Sequence, residues 1–419
     1  MPARGIRTAR FENSYCSARV ELRWLGNKTP LLEEILLAAE RAGFQGGTVC
    51  DLFAGSGAVG RFFRSRGFHV VSTDLMHCSL AFQKVYLECP GPPSFLGVQQ
   101  FWDQLEPIDA SRLHDAEPQD ISSWTPFLKL IRYLEEELPA MEGILVRQFS
   151  PAGAAGRGYL TPENAARIDA IIHQIRSWRI SGLLDESEIW LLIVSVIDAA
   201  DRVANISGTY GAYLKSWQQN SLHDLKLRIP STVEGPVGEA HRCDASDWIE
   251  QVDCDLLYLD PPYNQRQYGA NYHLPEVLSL LPMEESDDSI EAQLYGKTGL
   301  LPWKDVASPL CSRRGTECRD SMETVIQRAR ARGIVFSYSE EGILSRDQIE
   351  QMLYRWAVQE HPSDASVASR ANILHEIPYR RFKSDRSGSA RNFRPAEGRT
   401  EDEVHEWLFA IRRVQEERC

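Results

Sequence analysis

Thr48-Val49-Cys50-Asp51-Leu52-Phe53-Ala54-Gly55-Ser56-Gly57-Ala58-Val59-Gly60 runs an apolar stretch straight into a glycine-rich turn. Its first half has the composition of a strand buried on both faces. Gly55 and Gly57 let the backbone approach a ligand closely, and the helix that follows presents free N–H groups at its start. His69-Val70-Val71-Ser72-Thr73 is the next strand pattern, with Asp74 at its C-terminal end. An acid in that place can accept hydrogen bonds from both hydroxyls of a ribose. Strand, glycine turn, helix, strand and acid make half of a nucleoside-binding α/β fold. The same pattern fits a nicotinamide dinucleotide, so the kind of ligand must come from elsewhere in the chain.

It comes from a second strand pattern, Asp255-Leu256-Leu257-Tyr258-Leu259, which ends in Asp260-Pro261-Pro262-Tyr263-Asn264. Two consecutive prolines fix two φ angles and remove two N–H donors, leaving carbonyls without a local partner. Asp260 adds a carboxylate acceptor and Tyr263 a flat aromatic face. Two acceptors beside an aromatic plate suit a planar molecule with an exocyclic amino group. A rigid turn after a strand would account for the same residues, so the tetrapeptide alone decides little.

Before the first strand, Trp24-Leu25-Gly26-Asn27-Lys28-Thr29-Pro30 leads into Leu31-Leu32-Glu33-Glu34-Ile35-Leu36-Leu37. Pro30 and Thr29 predict a helix start with Thr29 as N-cap and with Trp24 and Lys28 on the preceding turn. From about 91 to 232 the character becomes helical. The clearest helix opens at Thr161 and Pro162, with Ala165, Ile168, Ile172, Ile175 and Trp178 on one face. A second is expected over Ser187 to Ala204. The stretch from Asn205 to Trp217, rich in Gly, Tyr, Trp and Lys, suits either a polar recognition surface or a helical hairpin with a glycine turn. The α/β pattern returns at Glu239–Asp244. Ile334–Ser339 is a further strand, a helix is predicted from Ser345 to Trp356, and Ala371–Ile377 with Val404–Ile411 read as a closing antiparallel pair.

Composition narrows the class. With 419 residues, 43% apolar and 25% charged, the chain suits one large domain with an insertion, or two domains. Its longest apolar run, Ile189 to Ile197, is too short to span a bilayer. Arg4, Arg7, Arg10 and Arg19 precede no signal-peptide core; an Arg-rich transit peptide would fit them, but they read better as a short basic arm on a cytoplasmic protein. Nine scattered cysteines without Cys-x-x-Cys spacing argue for free thiols and against a zinc site, and no metal is expected. The net charge of −13 leaves any nucleic-acid contact to a local basic surface. Such a stretch exists, with Arg380, Arg381, Lys383, Arg386, Arg391 and Arg394 interleaved with Phe382 and Phe393.

Taken together, these segments resemble the Dam-like, adenine-specific amino-methyltransferases of DNA, in which the cofactor motif precedes the catalytic one. Trp24-Leu25-Gly26-Asn27-Lys28 is similar to that family's opening motif, and Phe53-Ala54-Gly55-Ser56-Gly57 to its glycine motif. Asp74 matches the ribose-binding acid, and Asp260-Pro261-Pro262-Tyr263 the catalytic loop. Asn264 to His273 and Arg381-Phe382-Lys383-Ser384-Asp385 look closest to modification methylases of restriction systems. The resemblance implies a Rossmann-like, seven-stranded sheet with a largely helical insertion. It divides the chain into a cofactor-binding half (1–90), a helical insert for target recognition (91–232) and a catalytic half (233–419).

It further implies S-adenosylmethionine held by Trp24, Lys28, Phe53, Gly55, Gly57, Asp74, Asp244 and Asp260. Asp260, Pro261, Pro262 and Tyr263 would act on a flipped adenine of double-stranded DNA. DNA contacts would come from Arg266, Gln267, Arg381, Lys383, Arg386, Arg391 and Arg394, although Arg266 and Gln267 could instead brace the catalytic loop. A restriction nuclease would be a natural partner. An RNA adenine or protein glutamine methyltransferase shares the chemistry, and a nicotinamide oxidoreductase shares the glycine turn but gives Asp260–Tyr263 no role. A binding module without catalysis would have no use for the Lys28, Asp74 and Asp260 set.

Overall fold

The computed structural model describes residues 22–113, 121–359, 373–380 and 403–413. Seven strands form one sheet: β1 (Thr48–Asp51), β2 (His69–Asp74), β3 (Glu239–Arg242), β4 (Asp253–Leu259), β5 (Arg330–Ser339), β6 (Ile373–Arg380) and β7 (Glu403–Arg412). Their order is β3-β2-β1-β4-β5-β7-β6. The first five are mutually parallel, and β7 runs antiparallel to both β5 and β6. The expected closing antiparallel pair is present, and the sheet is that of a methyltransferase-like α/β fold.

Alternation along the strands explains the two layers. Val49, Leu256, Tyr258, Val335, Leu408 and Ala410 point to one face, and Cys50, Leu257, Leu259, Ile334, Phe336 and Phe409 to the other. Helices Glu317–Arg328 and Arg346–Ala357 cover the second face with Met322, Ile326, Met352 and Trp356. The first face carries helices Leu32–Arg41, Ala58–Ser65 and His77–Gln83 and continues without a break into the core of the insert.

Two helices dominate the insert. Pro162–Ile180 is capped by Thr161, whose hydroxyl accepts from Asn164 N at 3.2 Å, and Ala165, Ile168, Ile172, Ile175 and Trp178 are all buried, as the periodicity required. Glu186–Val203 opens on a capping box between Asp185 and Glu188. It packs on His273–Leu280, whose Glu276 carboxylate accepts from His77 N and Cys78 N at 2.9 Å each.

Two expectations need correcting. Thr29 is not the N-cap of the first helix: it begins a 3-10 turn, Thr29–Leu31, and Asn27 Oδ1 accepts from its N–H and hydroxyl at 2.9 and 2.8 Å. The Asx turn competes for the role because Asn27 reaches forward two residues. Asn205 to Trp217 is no helical hairpin but an irregular loop pinned by an Ile206–Tyr213 bridge and by Asn205 Nδ2, which donates to Gly158 O and Leu214 O.

Strand order fixes where a ligand can sit. β1 is flanked by β2 on one side and β4 on the other, so the chain reverses direction across the sheet there. The crevice beyond the carboxyl ends of β1 and β4 is the topological switch point. Asp51 ends β1, opposite Tyr258, and Asp260 follows β4 directly.

Candidate active site

A cavity of about 370 Å³ lies at this switch point, within the range of small-molecule sites. Trp24 and Lys28 close it from the opening turn, Phe53, Gly55 and Asp74 from the first two strands, and Asp244 from the loop after β3. Asp260, Pro261, Pro262 and Tyr263 line its mouth. Of the residues expected to hold a cofactor, Gly57 is the exception. It stands behind the turn as N-cap of Ala58–Ser65 at φ 75°, where a Cβ would lie 2.8 Å from the Tyr86 ring. Gly55, at φ 52°, is the glycine that faces the cavity, and a Cβ there would come within 2.8 Å of Trp24 Nε1.

The turn is held from below by Asp74, whose Oδ2 accepts from Gly55 N and Oδ1 from Met76 N, both at 2.9 Å. Burial pushes its carboxyl up to about 6 against the pull of those amides. Asp244 is also anchored, since Oδ1 accepts from Ser246 N at 2.8 Å and caps Ala245–Trp248.

Lys28 is the buried cation of the site, 5% exposed. Its Nζ lies 2.8 Å from Asp260 Oδ1, 3.3 Å from Glu406 Oε1 and 3.2 Å from Gly26 O. Burial alone would lower its pKa, but Asp260 and then Glu406 hold it well above the usual lysine value. Asp260 is pushed up to about 6 by burial, with Lys28 pulling it down and Glu406 pushing it further up. Asp51 is 1% exposed and neither carboxylate oxygen is paired, with only the Gly60 amide pulling its pKa down. Burial first, then Asp260 and Asp74, push it up to about 8. Four acids, Asp51, Asp74, Asp244 and Asp260, thus line the cavity against two cations, Lys28 and Arg328, an excess of acid suited to a positively charged ligand.

Aromatic rings build the remaining wall. Trp24 stacks on Tyr272 at 4.1 Å between centroids. Tyr272 OH accepts from Leu25 N at 2.6 Å, and Tyr268 OH donates to Leu25 O at 3.3 Å. Arg23 pairs with Asp201 of the insert (Nε to Oδ2, 3.0 Å), which also accepts from Tyr210 OH at 2.6 Å. The opening turn is thus strapped to the insert on one side and to the loop after β4 on the other. The Tyr263 ring is half-buried, edge-on to Tyr338 at 6.4 Å, and its carbonyl accepts from Ile343 N at 3.0 Å.

The expected DNA contacts divide. Arg266 is exposed, with its N–H donated to Asn264 Oδ1 at 2.9 Å. Gln267 turns back into the protein: its Nε2 donates to Ser308 O at 3.1 Å and its Oε1 accepts from Ser308 N at 3.0 Å. That two-way clip braces the loop lining the cavity. Arg381, Lys383, Arg386, Arg391 and Arg394 lie outside the described residues. Among the described residues, no cluster of three or more His, Cys, Asp or Glu could hold a metal ion, and no helix is long and apolar enough to cross a membrane.

Several residues of this site escaped the sequence reading. Asp51 stood inside the quoted glycine stretch, where an acid at a strand end was the available signal. Tyr268 and Tyr272 sit four apart in a row of aromatics, the spacing of one helical face. Glu406 carried no signal: it is a lone acid in an alternating strand, remote from every motif.

Comparison with known proteins agrees with the geometry. The sequence model of the D12 class N6 adenine-specific DNA methyltransferases matches residues 24–352. The chain is 32% identical over 396 residues to the Type II methyltransferase M.FokI of Planomicrobium okeanokoites, covering 94% of this chain and 53% of that protein. It is 30% identical over 394 residues to the modification methylase StsI of Streptococcus sanguinis, covering 94% and 52%. Against the Type II methyltransferase M.NlaIII of Neisseria lactamica it is 30% identical over 340 residues, covering 81% and 84%. The chain spans about half the length of the first two of these relatives.

Proposed function

The chain belongs to the D12 class N6 adenine-specific DNA methyltransferases, and from that premise we propose that it methylates the exocyclic 6-amino group of adenine at a specific site in double-stranded DNA. The observation that carries the proposal is the junction of two half-sites. Asp260 and Tyr263 border the same cavity that Gly55, Asp74 and Asp244 line.

The fit to S-adenosylmethionine rests on this chemistry. The glycine turn leaves room where a side chain would collide, the acids favour a cation, and the stacked Trp24 wall suits a flat ring. Bound there, S-adenosylmethionine supplies a methyl group on a positively charged sulfur. Gly55 and Asp74 would hold the nucleoside end, with Phe53 and Asp244 flanking it, and Trp24 and Lys28 would close over the site. Tyr263 offers the face on which a flipped base stacks. Asp260 and the Pro261 carbonyl accept the two amino hydrogens and direct the nitrogen lone pair out of the ring. The rate then comes from positioning and fixed electrostatics, with no covalent bond to the protein. A nicotinamide reaction has no use for that pair of acceptors.

The helical insert of residues 91–232 is the proposed target-recognition part. The names of the relatives, modification methylases among them, support a role in protecting DNA from a companion restriction nuclease. The test is single-molecule sequencing of DNA from cells expressing the chain. N6-methyladenine should appear at one short sequence and be lost with Asp260→Ala; DNA without methylated adenine would refute the proposal.

A further inference from the structure

Glu406 is the odd residue of its strand. It shares a face of β7 with Leu408 and Ala410, both buried and apolar, yet places a carboxylate at 1% exposure. A buried acid in a sheet costs stability unless it is paired. Its partners are Ser337 of β5, whose hydroxyl donates to Oε1, and the Lys28 ammonium at 3.3 Å on the same oxygen. Lys28 has three N–H donors and three acceptors within reach: Gly26 O, Asp260 Oδ1 and Glu406 Oε1. Its hydrogen-bonding capacity is therefore divided between the two carboxylates.

We propose that Glu406 is a positioning residue for Asp260: its carboxylate on the shared Lys28 offsets part of the lysine's pull on Asp260 and leaves Asp260 a better acceptor for the target's amino hydrogens. The proposal rests on the methyl-transfer function proposed above. The charged and titratable groups facing Asp260 are Lys28 from the opening turn, Glu406 from β7 and Asp51 from the end of β1. Tyr258 of β4 and Tyr263 and Tyr268 of the following loop complete the set. Tyr258 and Tyr268 are pushed further above their usual values by burial, and Asp51 is pushed up to about 8. These three are neutral where Asp260 titrates. Lys28 and Glu406 are left to set its charge, and they act in opposite directions.

Glu406→Gln keeps the shape and the oxygen that Lys28 and Ser337 meet, but removes the second negative charge. The Lys28 charge then acts on Asp260 without an opposing carboxylate. The midpoint of Asp260, followed through its carboxyl ¹³C shift in the protein without donor or DNA, should fall by roughly half a pH unit or more. The acidic limb of kcat for methyl transfer should move the same way, with a lower plateau. Glu406→Asp, which withdraws the carboxylate by one methylene, should shift the midpoint in the same direction but less, and it serves if the Gln variant does not fold. A lower melting temperature with an unmoved midpoint would make Glu406 purely structural and overturn the proposal. An upward shift would also overturn it, because Lys28 would then have let go of Asp260. The titration needs no turnover, so failure of wild-type protein to transfer a methyl group would count against the proposed function and not against this coupling.

Discussion

At the scale of single residues, the site consists of groups kept from their ordinary behaviour by burial. Tyr263 is expected to act through its ring, so Tyr263→Phe should stay active. Tyr263→Ala should lose about 1–3 kcal/mol of stacking, read as turnover on duplex DNA; equal damage from both would require a role for the hydroxyl. Asp51 gives a pH dependence. Its folded-state pKa of about 8 lies above the usual carboxylate value, so the folded protein binds more protons than the unfolded chain. Stability must therefore fall as pH rises toward 8. Asp74, Asp169 and Asp260, at about 6, complete most of their loss earlier, and His77 and His273, lowered to about 4, complete most of their opposite gain by pH 7, so Asp51 dominates the decline toward pH 8. In donor-free protein, Asp51→Asn should flatten the decline of melting temperature relative to wild type between pH 7 and 8; parallel curves for variant and wild type would mean that Asp51 is ionised throughout. The motif residues were legible because their chemistry is local: two prolines, an acid and a ring, or a glycine beside a strand. Glu406 was not, because its meaning comes from Lys28, 378 positions away along the chain.

Among elements, the opening turn is the critical one, since it carries both Trp24 and Lys28 and has no regular structure of its own. It is held by Leu25 to Tyr268 and Tyr272, and by Arg23 to Asp201 on Glu186–Val203. Asp201→Ala would leave Arg23 and the Tyr210 hydroxyl without their shared acceptor. The expected cost is about 2–3 kcal/mol, below that of a fully buried pair because Arg23 keeps contact with water. Calorimetry should find weaker S-adenosylmethionine binding together with a lower melting temperature. A lower melting temperature with unchanged affinity would show that the turn is set by the tyrosines alone. Helices with strong punctuation were predicted well: Thr161 with Pro162 marked one start to the residue. Thr29 with Pro30 misled, because Asn27 two residues earlier formed its own turn with Thr29. The loop at 205–217 could not be decoded in advance, since its shape depends on Asn205 reaching carbonyls of two distant segments.

For the whole molecule, the alternation of strands and helices predicted an α/β sheet and the resemblance its seven strands, while the order of those strands is seen only in the structure. That order places β1 beside β4 and so brings Asp51 and Asp260 to one cavity. The net charge of −13 sets the remaining requirement, a concentrated site for phosphate. The basic segment between β6 and β7 is the candidate from sequence. Replacing Arg386, Arg391 and Arg394 by Ala should flatten the dependence of log affinity on log salt, each lost phosphate contact removing about 0.9 from the slope. Cognate and random DNA should weaken alike, because phosphate contacts carry no sequence information. An unchanged slope would move the contact to Lys215 in the insert or to the N-terminal arginines. The central claim, that Asp260 at the switch-point cavity directs methyl transfer to an adenine amino group, has one direct measurement. Purified chain is incubated with S-adenosylmethionine labelled in its methyl group and with duplex DNA, and the nucleosides of the digested DNA are separated. Label should appear in N6-methyldeoxyadenosine, and Asp260→Ala should fall below a tenth of wild type while binding the donor and melting cooperatively, a threshold of only about 1.4 kcal/mol in barrier. Label in a methylated cytosine, or an Asp260→Ala protein retaining more than that tenth, would contradict it.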